Sequence, residues 1–358
     1  MSPPAKRILC VVGARPNFMK VKPVLDALET AGAETILVHT GQHYDPAMSE
    51  VFFEELGIRP PDHHLEVGSA SHAVQTARVM ERFEPLVAQA EPDVVVVVGD
   101  VNSTMACALV TAKLPPAVAH VEAGLRSRDW SMPEEINRVV TDRVSDHLLA
   151  PSPDAVANLL AEGADPDTVH LVGNVMVDTL LANLDRAKQR RILTDLDLTE
   201  GGYGLVTLHR PANVDDPAVL AGIVEALGAI AAELPLVFPA HPRTQQRLAE
   251  AKLPAGLLMI DPVGYLDFIA LEAAAAIALT DSGGVQEETT VLGVPCLTLR
   301  DNTERPITVD EGTNQVVGRD PNRIVTAAQQ VLREGVPARR PELWDGRAAE
   351  RIAQILAR

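Results

Sequence analysis

The chain reads as an α/β protein with two parallel sheets, on three observations. Short β-branched runs alternate with helically spaced apolar stretches almost throughout. Runs such as Val94–Val98 are continuously apolar, as strands buried on both faces are. The 358 residues also fall into two groups of such units, enough for two domains of ordinary size.

In the first group, strands are expected at Arg7–Val12, Glu34–His39, Val94–Val98, Ala117–Val121, His147–Ala150 and Val169–Val172. In the second they are expected at Tyr203–Leu208, Leu236–Pro239, Leu257–Ile260, Ala276–Leu279 and Val294–Leu299. Helical spacing marks Val74–Ala90, Asp154–Glu162 and Ala218–Ala232. Between the groups, Asn174–Thr194 reads as a long helix that turns basic at Arg186, Lys188, Arg190 and Arg191. The boundary is placed there, with one Rossmann-like domain over 1–172 and a second over 173–344. The segment 345–358 carries Ile352, Ile355 and Leu356 on one helical side and is expected to pack back on the first domain.

Composition narrows the function. Hydrophobic residues make up 46% and aromatics only 3%, so the core rests on Val, Leu, Ile and Ala. A formal net charge of −18 argues against nucleic acid or an anionic membrane as partner. Cys10, Cys107 and Cys296 are far apart in apolar segments and read as buried thiols of a reducing cytosol. With no signal-peptide apolar stretch and no run of membrane-span length, a cytoplasmic location is expected.

Ligand residues of open parallel sheets lie just past the strand C-termini. The most informative such stretch is Thr280-Asp281-Ser282-Gly283-Gly284-Val285-Gln286-Glu287-Glu288. It reads as a strand end, a tight glycine turn and a helix start, where backbone N–H groups and the helix dipole favour phosphate. Glu288, about one turn into that helix, is placed to accept hydrogen bonds from a ribose diol.

Other strand ends carry charge. Gly13-Ala14-Arg15-Pro16 with Lys20 offers cations without a dinucleotide fingerprint; a solvated basic pair fits the spacing equally well. Asp100 follows the all-valine strand, as a functional carboxylate or a helix cap. Glu122 follows Val121, and Glu134 and Arg138 share a helix face at i,i+4, a spacing also common in surface ion pairs. Clustered acids of this kind suit general acid/base work. In the second group His209 and His241 each follow a strand, and Arg305 is placed to complete a diphosphate clamp. The histidines are not spaced as HExxH, and the acids do not form an Asp-x-Asp metal motif of the sort many glycosyltransferases use, so chemistry without a metal is expected.

Taken in order, Gly13-Ala14-Arg15-Pro16, Gly41-Gln42-His43, Gly99-Asp100, His120-Val121-Glu122-Ala123-Gly124-Leu125-Arg126, Pro133-Glu134-Glu135-Ile136-Asn137-Arg138, His209-Arg210, Asp281–Glu288 and Thr303-Glu304-Arg305-Pro306 resemble the non-hydrolysing UDP-N-acetylglucosamine 2-epimerases. The resemblance spans roughly residues 6–345. It implies the GT-B fold, two Rossmann-like domains with parallel sheets and an interdomain cleft. It implies reversible C2 epimerisation of UDP-GlcNAc to UDP-ManNAc, by loss of UDP, a 2-acetamidoglucal and re-addition, with no cofactor. By resemblance Asp100, Glu122, Glu134 and His209 are the catalytic set. Arg15, Lys20, Ser282, Gly283, Gly284, Glu288 and Arg305 bind UDP, and Phe268 meets the uracil largely through backbone. His43, Arg138 and His241 complete the expected substrate contacts, and a homodimer is implied.

One departure stands out. Family members activated by a second UDP-GlcNAc typically carry a glutamine three residues after Gln42, where this chain has Asp45. Val67–His72 also lacks the arginine that usually follows the next strand. Little or no such activation is therefore expected. Alternative readings are a 2-epimerase of a UDP-diacetamido-uronic acid, a GT-B glycosyltransferase, and a non-catalytic nucleotide-sugar-binding protein.

Overall fold

The computed structural model describes residues 5–42, 55–248, 253–337 and 339–358. The chain forms two compact units, Met1–Thr179 with Glu342–Arg358, and Leu180–Pro341.

The first unit holds a seven-stranded sheet: β1 Arg7–Val12, β2 Glu34–His39, β3 His63–His64, β4 Val94–Val98, β5 Ala117–Val121, β6 His147–Ala150 and β7 Val169–Leu171. The spatial order is β3-β2-β1-β4-β5-β6-β7, and neighbours run parallel, with Cys10 opposite both Leu37 and Val96. The continuous apolar runs follow from burial on both faces. Leu9, Val11, Val95 and Val97 pack one face against Val79 and Phe83 of the helix His72–Ala90.

The second unit holds β8 Gly204–Thr207, β9 Leu236–Pro239, β10 Leu257–Ile260, β11 Ile277–Thr280, β12 Cys296–Thr298 and β13 Asn314–Val316. Their order is β10-β9-β8-β11-β12-β13, again parallel. Val206, Phe238, Leu279 and Leu297 share one core, while Leu205, Val237 and Ala278 face another. Both faces are thus covered, as in doubly wound folds.

The structure departs from the sequence expectation at three places. Two edge strands, β3 and β13, are short and polar and carry no apolar run to mark them. The stretch read as one helix over Asn174–Thr194 is two, Val175–Lys188 and the single turn Ile192–Asp195. The first of these contains the boundary between the units. The C-terminal helix Ala348–Leu356 packs on the helix Arg15–Thr30 within the first unit. The carboxylate of Asp178 accepts the N–H groups of Ala348 and Ala349 at 3.1 and 2.7 Å, and Trp344 Nε1 donates to the Pro151 carbonyl at 2.9 Å. The three cysteines are buried and free. Among the described residues no helix is long and apolar enough to cross a membrane.

Candidate active site

Each sheet reverses its winding once, between β1 and β4 in the first unit and between β8 and β11 in the second. The loops leaving such a pair diverge, so side chains can gather between them.

At the β1/β4 reversal, Asn17 Oδ1 accepts the N–H groups of Gly13 and Ala14 at 3.2 and 2.9 Å. Its Nδ2 donates to the Val98 carbonyl at 3.0 Å and so ties the two strand ends together. One helical turn on, Lys20 points the same way and forms a buried ion pair with Glu122. Gly99 makes that pair possible. Its φ is +71°, and a Cβ there would lie 3.3 Å from both Asn17 Nδ2 and Lys20 Nζ and 3.4 Å from Glu122 Oε2. Lys20 therefore neutralises a carboxylate instead of standing as a solvated cation. Arg15 is the first residue of the helix Arg15–Thr30.

Asp100 does not cap the next helix, Asn102–Thr111, whose N-cap is Val101. Its Oδ2 instead accepts Arg138 Nε at 3.0 Å and Nη2 at 2.7 Å, while its backbone carbonyl accepts Asn137 Nδ2 at 2.8 Å. Arg138 is buried and sends Nη1 to Glu135 Oε2 at 2.6 Å. The i,i+4 spacing pointed to Glu134 as its helix partner; the structure uses Glu135 at i,i+3. Burial disfavours the charge on Glu135, but the N–H groups of Ser127 and Arg128 and the Arg138 guanidinium hold its carboxyl below the usual range. Among the described residues the Asp100–Arg138–Glu135 cluster excludes Glu134, which is half-buried in the first turn of the same helix, Pro133–Arg143.

At the β8/β11 reversal the organiser is Asp281, fully buried. It accepts the N–H groups of His209 at 3.1 Å and Arg210 at 2.9 Å, Asn213 Nδ2 at 3.1 Å and His209 Nδ1 at 2.8 Å. Burial opposes its charge, and the His209 ring and these N–H groups more than offset it, so its carboxyl sits below the usual range. The bond to Nδ1 orients the imidazole and leaves Nε2 on a side chain that is 53% exposed.

The two glycines that follow are not the tight turn the sequence pointed to. Gly283 opens the helix Gly283–Leu292, and Ser282 is its N-cap at φ −86°. Glycine keeps this space clear, since a Cβ on Gly283 would lie 2.5 Å from Arg305 Nη1 and 2.7 Å from Glu304 Oε1. A guanidinium thus lies against the start of a helix, where unpaired N–H groups and the dipole already favour an anion. Arg305 is held there by Glu287 and Glu304, each at 2.6 Å.

Further along this helix the buried Glu288 accepts Tyr265 Oη–H at 3.1 Å. Burial raises its carboxyl to about 8; the Tyr265 bond works against that rise and the charge of Glu287 adds to it. Phe268 is partly buried in the helix Tyr265–Ala273, its N–H bonded to the Gly264 carbonyl at 2.9 Å. His241 follows β9, and its carbonyl accepts Thr244 N–H at 2.8 Å as the helix Pro242–Leu248 begins. His43 and the Tyr44–Pro46 segment lie outside the described residues.

Residues of these clusters missed as candidates include Asn17, Glu135 and Asp281. Asp281 had a signal, since it directly follows a buried strand. Glu135 had none, because adjacent glutamates cannot be told apart until the helix face is known.

The family model for UDP-N-acetylglucosamine 2-epimerase matches residues 26–357. This chain belongs to the UDP-N-acetylglucosamine 2-epimerase family. Among relatives of this family member, the UDP-N-acetylglucosamine 2-epimerase of Methanocaldococcus jannaschii is 43% identical over 361 residues, covering 98% of each chain. The UDP-2,3-diacetamido-2,3-dideoxy-D-glucuronate 2-epimerase of Pseudomonas aeruginosa is also 43% identical, over 98% of this chain and 99% of its own. The crystal structure of the M. jannaschii enzyme in complex with UDP-GlcNAc and UDP superposes with a TM-score of 0.90 at 42% identity, covering 98% of this chain and 99% of that one. The expected GT-B class, two Rossmann-like α/β units, is that of this family.

Proposed function

We propose that this protein interconverts UDP-GlcNAc and UDP-ManNAc by inversion at C2. Family membership supports the substrate class, and the M. jannaschii relative is named for this activity. The observation that carries the chemistry is the paired arrangement at the β1/β4 reversal, where Lys20 holds Glu122 and Arg138 holds Asp100. Two carboxylates, each ion-paired with its own cation, stand on neighbouring strand ends as groups suited to proton transfer.

The C2 hydrogen of the sugar is not α to a carbonyl, so direct removal is very hard. If the C1–O bond breaks with its electron pair going to UDP, positive charge develops at C1 and the C2 proton can leave to a carboxylate. C1=C2 forms, giving a 2-acetamidoglucal. Proton return to the opposite face of C2 and re-addition of UDP at C1 complete the inversion. Asp100, Glu122 and Glu134 are the proton-transfer set.

In the second unit the helix start at Gly283–Gly284, Ser282 and Arg305 hold the diphosphate, and Glu288 binds the ribose diol. The Asp281–His209 pair presents Nε2 toward the leaving phosphate. Arg15, His43, His241 and Phe268 complete the substrate contacts in this reading. The protein acts as a homodimer in the cytoplasm, with little activation by a second UDP-GlcNAc.

Proton NMR of UDP-GlcNAc with the protein in D₂O tests the route. Deuterium at C2 and growth of UDP-ManNAc are expected; turnover without C2 exchange would rule the mechanism out. A second reading is favoured by the P. aeruginosa relative, equally similar and named for a diacetamido-glucuronate substrate. Faster turnover of that UDP-uronate than of UDP-GlcNAc would select it.

A further inference from the structure

His120 takes no part in the proposed proton transfers, yet it sits inside the machinery. It is on β5, fully buried, two residues before Glu122. Its Nε2 lies 2.9 Å from the Gly99 carbonyl oxygen and its Nδ1 lies 2.6 Å from Asp142 Oδ1. A carbonyl can only accept. Asp142 is bonded through Oδ2 to Arg126 Nη2 at 2.7 Å and to Gly124 N–H at 3.1 Å, so it too is an acceptor. Hydrogen bonds at both nitrogens therefore require a proton on each, and the ring is an imidazolium enclosed between a carboxylate and a carbonyl.

We infer that His120 is a positioning residue whose doubly protonated ring fixes the Gly99 carbonyl and thereby sets Asp100 and Glu122 in register for catalysis. The inference rests on the reading of those two carboxylates as the proton-transfer pair.

Two residues with left-handed backbone flank the ring's contacts. Gly99 has φ +71° and Glu122 has φ +75°, in the left-handed region that a glutamate rarely occupies. Such a conformation persists only where its surroundings over-determine it. Gly99 N–H donates to the Val121 carbonyl at 3.1 Å and Glu122 N–H to the Leu149 carbonyl at 3.1 Å, so backbone bonds fix one side of each peptide. The His120 ring fixes the Gly99 carbonyl on the other side. It anchors that carbonyl to Asp142, on the same helix, Pro133–Arg143, that supplies Arg138 and Asn137 to Asp100. The ring thus joins the ends of β4 and β5 to the helix that holds Asp100.

The two ends of the ring can be separated by substitution. His120→Gln keeps an amide N–H at the reach of Nε2, and His120→Asn keeps one at the reach of Nδ1. Displacement of a reacting group by about 1 Å costs on the order of 10²-fold in rate. We expect kcat to fall about 10²-fold in His120→Asn and only about 10-fold in His120→Gln, with KM within about threefold of wild type in both. Near-wild-type kcat in a folded His120→Asn overturns the inference, as does equal loss in the two variants in step with equal loss of melting temperature. A measurement on the unaltered protein guards against variants that do not fold. ¹⁵N NMR of the His120 ring near pH 7 is expected to show two protonated nitrogens, and the signature of a neutral tautomer refutes the proposal. Asp100→Asn is run alongside. If it retains C2 exchange, the reading of Asp100 falls; if it is inactive while His120→Asn turns over normally, only the present inference falls.

Discussion

The two sheet reversals solve opposite problems with different materials. At β1/β4 the cluster is made of long side chains in cation–carboxylate pairs, Lys20 with Glu122 and Arg138 with Asp100 and Glu135. At β8/β11 a single buried Asp281 collects backbone N–H groups and one imidazole, and the helix start beyond it offers more N–H groups beside Arg305. Charged pairs suit groups whose protonation must be controlled. Backbone amides suit an anion that must be gripped and released, since they bind without titrating. The same fold, used twice in one chain, thus gathers charged pairs at one reversal and backbone amides at the other.

The largest way to break this contrast is Asp100→Asn. C2 exchange is expected to fall at least about 10³-fold, within the range for loss of general acid/base groups, while UDP affinity stays within about twofold. Isotope exchange and calorimetric UDP titration read the two separately, and a matching loss of UDP affinity would merge the roles we keep apart.

Next in size is Asp281→Asn. Removing the charge that His209 Nδ1 and three other donors share, and turning one carboxylate oxygen into an NH₂ donor, is expected to lower kcat about 10²-fold. It also removes an acid dependence. The Asp281 carboxyl is held low in the folded state, so its stabilisation is present above the unfolded value and is lost as pH falls through the folded one. Thermal melts from pH 7 to pH 3 should fall less steeply in the variant than in wild type, and parallel curves would count against Asp281 as the organiser.

Gly283→Ala should act on affinity alone. Gly283 is helical, so alanine suits the backbone, but its Cβ falls on the Arg305 guanidinium. We expect UDP to bind about tenfold more weakly, near 1.4 kcal/mol, with the melting temperature within a few degrees. Gly99→Ala is the counterpart in the first unit. There the left-handed backbone adds roughly 1–2 kcal/mol of strain, so stability and turnover should fall together.

The smallest effect concerns Glu272, fully buried with its carboxyl pushed well up by burial and by the charge of Glu288. A raised carboxyl contributes no penalty at low pH and an increasing one as pH rises toward the folded value. Glu272→Gln should therefore melt a few degrees above wild type at pH 8.5 and no higher at pH 4.5. Equal shifts at both pH values would show that the gain has another cause.

The sheets were legible because runs such as Val94–Val98 leave little choice of structure, and strand ends located the charged clusters. Edge strands were not, because His63–His64 and Asn314–Val316 pair through backbone and polar side chains, His64 with His39 and Asn314 with Thr298, and need no apolar run. The site was legible as a list of residue types and less so as a set of pairings. Lys20 looked like a free cation and is instead paired with Glu122. Arg138 looked paired with Glu134 and is paired with Glu135 and Asp100. Gly283 looked like a turn and makes room for a guanidinium that lies past the next strand, β12. Each case turns on a contact across the chain that local spacing does not encode.

Asp178 gives the fold a timetable. It is buried with its carboxyl pushed up by loss of solvent, against the pull of the Ala349 and Ala348 N–H groups, and those donors lie 170 and 171 residues downstream. At typical synthesis rates of about 5–20 residues per second, they leave the ribosome roughly 10–30 s after Asp178 does. Through that interval the whole second unit can emerge and fold, while the helix Arg15–Thr30, with Lys20 on it, still lacks its covering segment Ala348–Leu356. The second unit can therefore be complete on the nascent chain before the first is.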